Sequence, residues 1–189
     1  MKIWQFYKNC DITYPGDEMK QEQLHFFKTT VEELLSQASL KQMQSYTQHG
    51  DISTLTHSIL VAYYSYAMNC HLHLHSDEKS LITGALLHDY FLYDWHEKEK
   101  WHKWHGFRHA NFAYHNALRD FNINAKEAEI IRKHMWPLTI IPPTCREAWV
   151  VNAVDTFSSV MEVLIAHRIF HTLKRKYMHH PLTVLGVSI

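Results

Sequence analysis

Apolar residues recur along this chain at spacings of three and four, while strict alternation is scarce, which predicts helices and few strands. From about Asp17 to Leu35, the residues Leu24, Phe27, Val31, Leu34 and Leu35 fall on one stripe, so an outer helix with a single buried face is expected. Between about Ser53 and Asn69 the apolar face is wider. It carries Leu55, Ile59, Leu60, Tyr63, Tyr64, Ala67 and Met68, and it includes His57, which is expected to point inward. Ser76 or Asp77 is placed to cap a third helix through Leu81, Ile82, Ala85, Leu86 and Leu87, ending near His88-Asp89. Tyr90 to Gly106 has no clear period and reads as an ordered loop with a short helical turn; a fourth helix follows from about Gly106 to Asp120.

Asn124 with Glu127 makes a capping-box pattern that opens a helix through Ile130 and Ile131 and stops before Pro137. Thr144 with Glu147 repeats the device after Pro142-Pro143. The last long helix is expected to run to about Phe170, with Val150, Val151, Val154, Phe157, Met161 and Leu164 on one side. Asp155 sits near its middle, amid Val150, Val151, Val154, Phe157 and Val160. No internal repeat, low-complexity tract or linker divides the chain, so the expected architecture is all-α, a single-domain helical bundle. The tail over 171–189 mixes Lys174, Arg175, Lys176, His179 and His180 with Val184-Leu185; its basic run reads as a solvated face, and the tail as a whole has no assigned role.

Composition then narrows the classes. With 46% hydrophobic and 20% charged residues the chain has ample material for a core. Nineteen acids balance nineteen bases, which argues against broad polyanion or general nucleic-acid binding. Cys10, Cys70 and Cys145 are odd in number and far apart, so neither a disulfide framework nor a thiolate zinc site is suggested, and a reducing, cytoplasmic compartment is expected. The first residues reach no long apolar run before Lys8 and Asp11, and no stretch approaches ~18 consecutive apolar residues, so neither secretion nor membrane spanning is expected.

The conspicuous excess is histidine, seventeen among 189 residues. His57 lies on an inward face, His88-Asp89 closes the next helix, His105 precedes another, His134 ends the one after, and Asp155 is buried in the last. Five successive elements thus each offer a metal-type ligand. A carboxylate at Asp155 costs several kcal/mol to bury charged without a partner, so a cation or strong hydrogen bonds must be near it. Imidazole with carboxylate suits iron, manganese, zinc, nickel or cobalt better than calcium. His105 and His109, one helical turn apart, offer an alternative in which both grip one metal.

The strings Gln48-His49-Gly50 with His57-Ser58-Ile59, Gly84-Ala85-Leu86-Leu87-His88-Asp89, His105-Gly106-Phe107, Ile131-Arg132-Lys133-His134 and Val154-Asp155 resemble the HD-domain superfamily of metal-dependent phosphohydrolases. The resemblance covers about residues 45–165. It implies an all-helical core in which His57, His88, Asp89 and Asp155 hold one divalent metal, while His105 and His134 hold a second and Asp89 bridges the two. The implied activity is hydrolysis of a phosphate ester of a small, nucleotide-like molecule. The chain is most similar to two-metal members, yet where many of these read His-Asp-Ile-Gly-Lys it has His88-Asp89-Tyr90-Phe91-Leu92, so a usual phosphate-contacting lysine is missing. The same resemblance extends to HD-fold diiron oxygenases, and a third reading is a regulatory module that keeps metal without turnover.

Two ions sharing a water would lower its pKa towards ~7 and polarise phosphoryl oxygens. Asp89 would hold the pair together, and Asp89, His109 and Arg108 are the catalytic candidates. Lys103, Arg108 and Arg132 are candidate phosphate contacts, and His109 a candidate proton donor to the leaving oxygen. A homodimer is compatible with the sequence. His71, His73 and His75 are expected to be solvated loop residues. His49 is expected either to approach the cavity or to terminate a helix, and His96, His102 and His115 either to line a pocket or to lie on the surface. The aromatic residues Tyr90, Phe91, Tyr93, Trp95, Trp101 and Trp104 suit core packing or a lid as well as stacking on a base.

Overall fold

The computed structural model describes residues 19–49, 52–93, 105–166, 177–178 and 181–186, with the backbone only at 49, 105 and 164–166. Its helices are α1 (Gln21–Leu35), α2 (Ala38–Lys41), α3 (Thr54–His71), α4 (Glu78–Leu87), α5 (His105–Asp120), α6 (Ala125–Lys133) and α7 (Arg146–Ala166). The all-α expectation holds. One small addition was not foreseen: strands β1 (Thr47–His49) and β2 (Ile52–Ser53) pair antiparallel, with Thr47 opposite Ser53 and His49 opposite Ile52. His49 therefore sits on a strand and not at a helix end; its side chain lies outside the described residues.

Helix α3 is the centre of the bundle. Its wide apolar face leaves only Thr56, Tyr64, Met68 and Cys70 half-exposed between Thr54 and Cys70, and it packs against α4 on one side and α7 on another. Ser53 starts it by accepting the Thr56 N–H. α4 starts at Asp77, whose carboxylate accepts the Ser80 N–H, and packs on α1 and α6. In α1, Phe27 and Val31 are buried as the stripe predicts, Phe27 lying edge-on to Tyr63 and stacked on Tyr66. The described part of the tail also packs. Tyr177, Met178 and Leu182 are buried, the Tyr177 ring stacks on Tyr64 at 5.1 Å, and the Tyr64 hydroxyl donates to the Tyr177 carbonyl. The basic run Lys174-Arg175-Lys176 and Leu164 to Phe170, in their side chains, fall outside the described residues.

Local capping agrees with the sequence at one helix and departs from it at another. Asn124 accepts the N–H groups of Lys126 and Glu127, and the Glu127 carboxylate accepts the Asn124 N–H, so the capping box forms. Thr144 and Glu147 have other partners. The Thr144 N–H and hydroxyl both donate to Glu129, and the Glu147 carboxylate accepts the Asp77 N–H and Lys126. Two neighbouring elements thus claim the pair that local spacing would have joined. On α7 the stripe is also shorter than expected: Val150, Val151 and Val154 are buried and Met161 half-buried, but Phe157 is 59% exposed. Phe157 stands two turns beyond Val150 on the same face, so periodicity alone does not decide which turns of that face are covered.

Among the described residues, no helix is long and apolar enough to cross a membrane. Cys70 and Cys145 are free thiols, and Cys10 lies outside the described residues.

The tightest helix contact is at Gly84. A Cβ there would lie 2.5 Å from Ile130 Cδ1 and 2.9 Å from Ile130 Cβ, and the second of these atoms cannot swing away. Gly84→Ala is expected to force α4 from α6 at a cost of about 1–3 kcal/mol. Urea or thermal unfolding would measure it, and a midpoint equal to the wild type would refute so close an approach.

Candidate metal centre

The chemistry-bearing side chains are delivered mainly by helix ends. His88 and Asp89 follow the last turn of α4, His134 follows α6, and His57 lies in the first turn of α3; His109 is in the second turn of α5 and Asp155 is in mid α7. All six are buried. The last carbonyls of a helix have no partner within it, and His88 and His134 exploit this. His88 Nδ1 is 2.6 Å from the Ala85 carbonyl and His134 Nδ1 is 2.8 Å from that of Ile131. A carbonyl only accepts, so each Nδ1 carries a hydrogen and each Nε2 is the atom directed at the centre. His57 gets the same arrangement from a side chain: its Nδ1 lies 2.9 and 3.0 Å from the two carboxylate oxygens of Glu162.

Asp89 faces both ways. Its Oδ2 lies 3.8 Å from His57 Nε2 and 3.5 Å from His88 Nε2, while its Oδ1 lies 3.3 Å from His109 Nε2 and 3.5 Å from His134 Nε2. Asp155 Oδ1 completes the first group at 3.0 Å from His57 Nε2 and 3.5 Å from His88 Nε2. In the second group, the Nε2 atoms of His109 and His134 are 2.9 Å apart. Two ligand atoms at right angles around an ion, each ~2.1 Å from it, stand ~3.0 Å apart, so these spacings suit shared coordination. Three sets are each compact enough for one ion: His57 with His88 and Asp89, His88 with His134 and Asp155, and Asp89 with His109 and His134.

Unmatched polarity gives an independent sign that the donor set suits a cation. His88 Nε2 and Asp89 Oδ1 are buried without a hydrogen-bond partner, a costly state for a ring nitrogen and a carboxylate oxygen. A divalent transition ion would satisfy both, and nitrogen with carboxylate donors fits that class of metal.

The electrostatics are strongly polarised. Burial opposes a charge on His57, but Glu162 and Asp155 outweigh it and hold its pKa well above the ordinary value. Burial likewise opposes a charge on His88, and Asp89 and Asp155 raise it. Burial would raise Asp89, yet His88, His109 and His134 bring it well below the carboxylate range; for Asp155, His57 and His88 do the same against burial. His134 is pushed down to about 3 by burial and by the neighbouring His88 and His109.

The remaining candidates fall at different distances from this centre. His109, considered as a proton donor, packs directly against Asp89 and His134. His105 begins α5, but its side chain is outside the described residues, as are Lys103, His96, His102, Trp95, Trp101 and Trp104. Arg108 and Arg132 are exposed, their guanidinium carbons 5.9 Å from the Phe112 ring and 5.0 Å from the Tyr114 ring. Tyr90 and Phe91 are buried, Tyr93 half-buried, and the Phe91 ring lies 5.9 Å from that of His109. His71, His73, His75 and His115 are exposed.

Two site residues escaped the sequence reading. Gln48, placed by the β1–β2 hairpin, donates from Nε2 to Asp89 Oδ2 at 2.7 Å. Three strand residues carry too little periodicity to announce it. Glu162 is fully buried behind His57, and its charge, after burial, pushes the Tyr177 hydroxyl well above the phenol range. A usable signal existed here: Glu162 follows Asp155 by seven residues, two turns along the same face of α7.

Comparison with known protein families matches the HD domain to residues 54–159. No curated protein and no solved structure matches the chain.

The polarisation sets the sign of metal binding against pH. In the metal-free protein His57 and His88 hold protons above the ordinary histidine value, whereas His134 is already neutral. Metal must displace the protons of the first two, so Mn²⁺ affinity is expected to rise with pH from ~6.5 upward and binding to release protons. Titration in weak buffer would read this; affinity that is flat or falls with rising pH would contradict it.

Proposed function

The chain belongs to the HD-domain family, and from that premise we propose that it is a metal-dependent phosphohydrolase acting on a phosphate ester of a small, nucleotide-like molecule. The observation that supports this reading most directly is the division of Asp89, with Oδ2 towards His57 and His88 and Oδ1 towards His109 and His134. A carboxylate with ligand groups on both of its oxygens is what a two-ion site requires.

On this reading His57, His88, Asp89 and Asp155 hold one ion, and Asp89, His109 and His134 hold the other. His105 is kept as a further ligand from the same helix as His109. His109 is a ligand here in preference to a proton donor, since its Nε2 is directed at Asp89 and His134. Two divalent ions at these positions would supply a hydroxide near neutral pH and stabilise charge on phosphoryl oxygens. Gln48 fixes the rotation of the Asp89 carboxylate by donating to Oδ2, which keeps Oδ1 turned to the other group. The Nδ1 contacts of His88 and His134 hold both rings with Nε2 inward. Exposed Arg108 and Arg132, with Lys103, are the candidate groups to steer an anionic substrate.

Protein loaded with Mn²⁺ or Fe²⁺ is expected to release phosphate from at least one class among nucleotides, dinucleotides and sugar phosphates. Asp89→Ala should reduce that rate at least about a hundredfold, since both groups lose their common ligand. Release undiminished in the variant would sink the assignment. Oxygen uptake by the iron-loaded protein without phosphate release would put a diiron oxygenase in its place.

A further inference from the structure

We propose that Glu162 is a positioning residue for the metal centre, selecting the tautomer of His57 and strengthening its Nε2 as a ligand. The inference rests on the two-ion reading above and adds a residue that no ligand pattern contains. His57 differs from the other inward histidines in its place along a helix. His88 and His134 stand just past helix ends, where the carbonyls of Ala85 and Ile131 are free to accept their Nδ1 hydrogens. His57 is in the first turn of α3, where the carbonyl three residues back belongs to Thr54 and is taken by the helix's own hydrogen bonding. Its Nδ1 needs an acceptor from elsewhere.

Helix α7 supplies one. Asp155 and Glu162 are two turns apart on the same face, and the His57 imidazole lies between them, with Asp155 Oδ1 3.0 Å from Nε2 and both Glu162 oxygens within 3.0 Å of Nδ1. One helix thereby presents a carboxylate on each edge of the ring. With Nδ1–H donated to Glu162, Nε2 carries the lone pair on the side of Asp155, Asp89 and His88. A carboxylate acceptor, unlike the carbonyls behind His88 and His134, also makes that lone pair more basic. Glu162 is fully buried, and the buried Tyr177 of the tail covers the same region of α7, so water does not compete for its oxygens. A fully buried carboxylate is costly to retain, and orientation of a ligand is a role that matches its placement.

The test uses the full chain with Glu162→Gln, which keeps one acceptor oxygen and loses the charge, and Glu162→Leu, which loses both. Mn²⁺ affinity is read by chelator competition, and the tautomer of His57 by long-range ¹H–¹⁵N spectra of the metal-free, histidine-labelled protein at a pH high enough for the His57 ring to be neutral. The Leu variant is expected to bind Mn²⁺ ~10–100-fold more weakly and to lose the Nδ1-protonated signature of His57, while the signals of His88 and His134 are unchanged. The Gln variant is expected to keep the signature and to bind several-fold more weakly. Should the Leu variant not fold, wild-type affinity in the Gln variant overturns the proposal on its own. Wild-type affinity in both variants overturns it while leaving the metal centre intact. Failure of the wild-type protein to bind Mn²⁺ overturns the two-ion reading itself, and this inference with it.

Discussion

The arrangement depends on bringing two carboxylates, Asp89 and Asp155, together with several imidazoles at one buried point. Neither acid is affordable there alone: burial pushes both towards the neutral form, and the surrounding histidines reverse that push. The histidines are in turn poised by the acids, so His57 and His88 are raised, while His134 is depressed by burial and by the neighbouring imidazoles. Even so His88 Nε2 and Asp89 Oδ1 have no hydrogen-bond partner. A donor set that is almost balanced and then left open at two atoms is what coordination of a cation would complete.

The bundle is built to hold that point still. α3 is buried nearly all round because α4 and α7 flank it, and each of those neighbours carries ligands of the same centre. The approach of α4 to α6 at Gly84 sets the distance between the helix ends that present His88-Asp89 and His134. Asn152 adds a second tie, donating to the carbonyls of His134 and Trp136 from the turn of α7 just before Asp155. Packing and site geometry are therefore linked through the same few helix ends, and a shift of one helix would be felt by ligands on both sides of Asp89.

A chain with no net charge has no overall attraction for a phosphate ester. On the function proposed, that attraction comes from bound cations, helped locally by Arg108 and Arg132. The absence of lysine after His88-Asp89 is consistent with this division, since Tyr90, Phe91 and Leu92 there serve packing: the Tyr90 ring meets Phe121 edge-on and its hydroxyl donates to Asp120.

Whereas the grouping of His57, His88, Asp89, His134 and Asp155 was implied by the family resemblance, helix positions and the inward direction of His57 were legible in the chain because each depends on short-range rules, a period of three or four or a capping pair. The capping box of Asn124 and Glu127 formed for the same reason. Thr144 and Glu147 show where such rules stop, since Glu129 and Asp77, distant in sequence, reach them first. Which turn of α5 faces Asp89, the exposure of Phe157, and the contacts of Gln48 and Glu162 were settled by how whole elements pack. The spacing of seven between Asp155 and Glu162 places both on one face of α7, but only the position of α3 between them makes that face the two sides of a single imidazole.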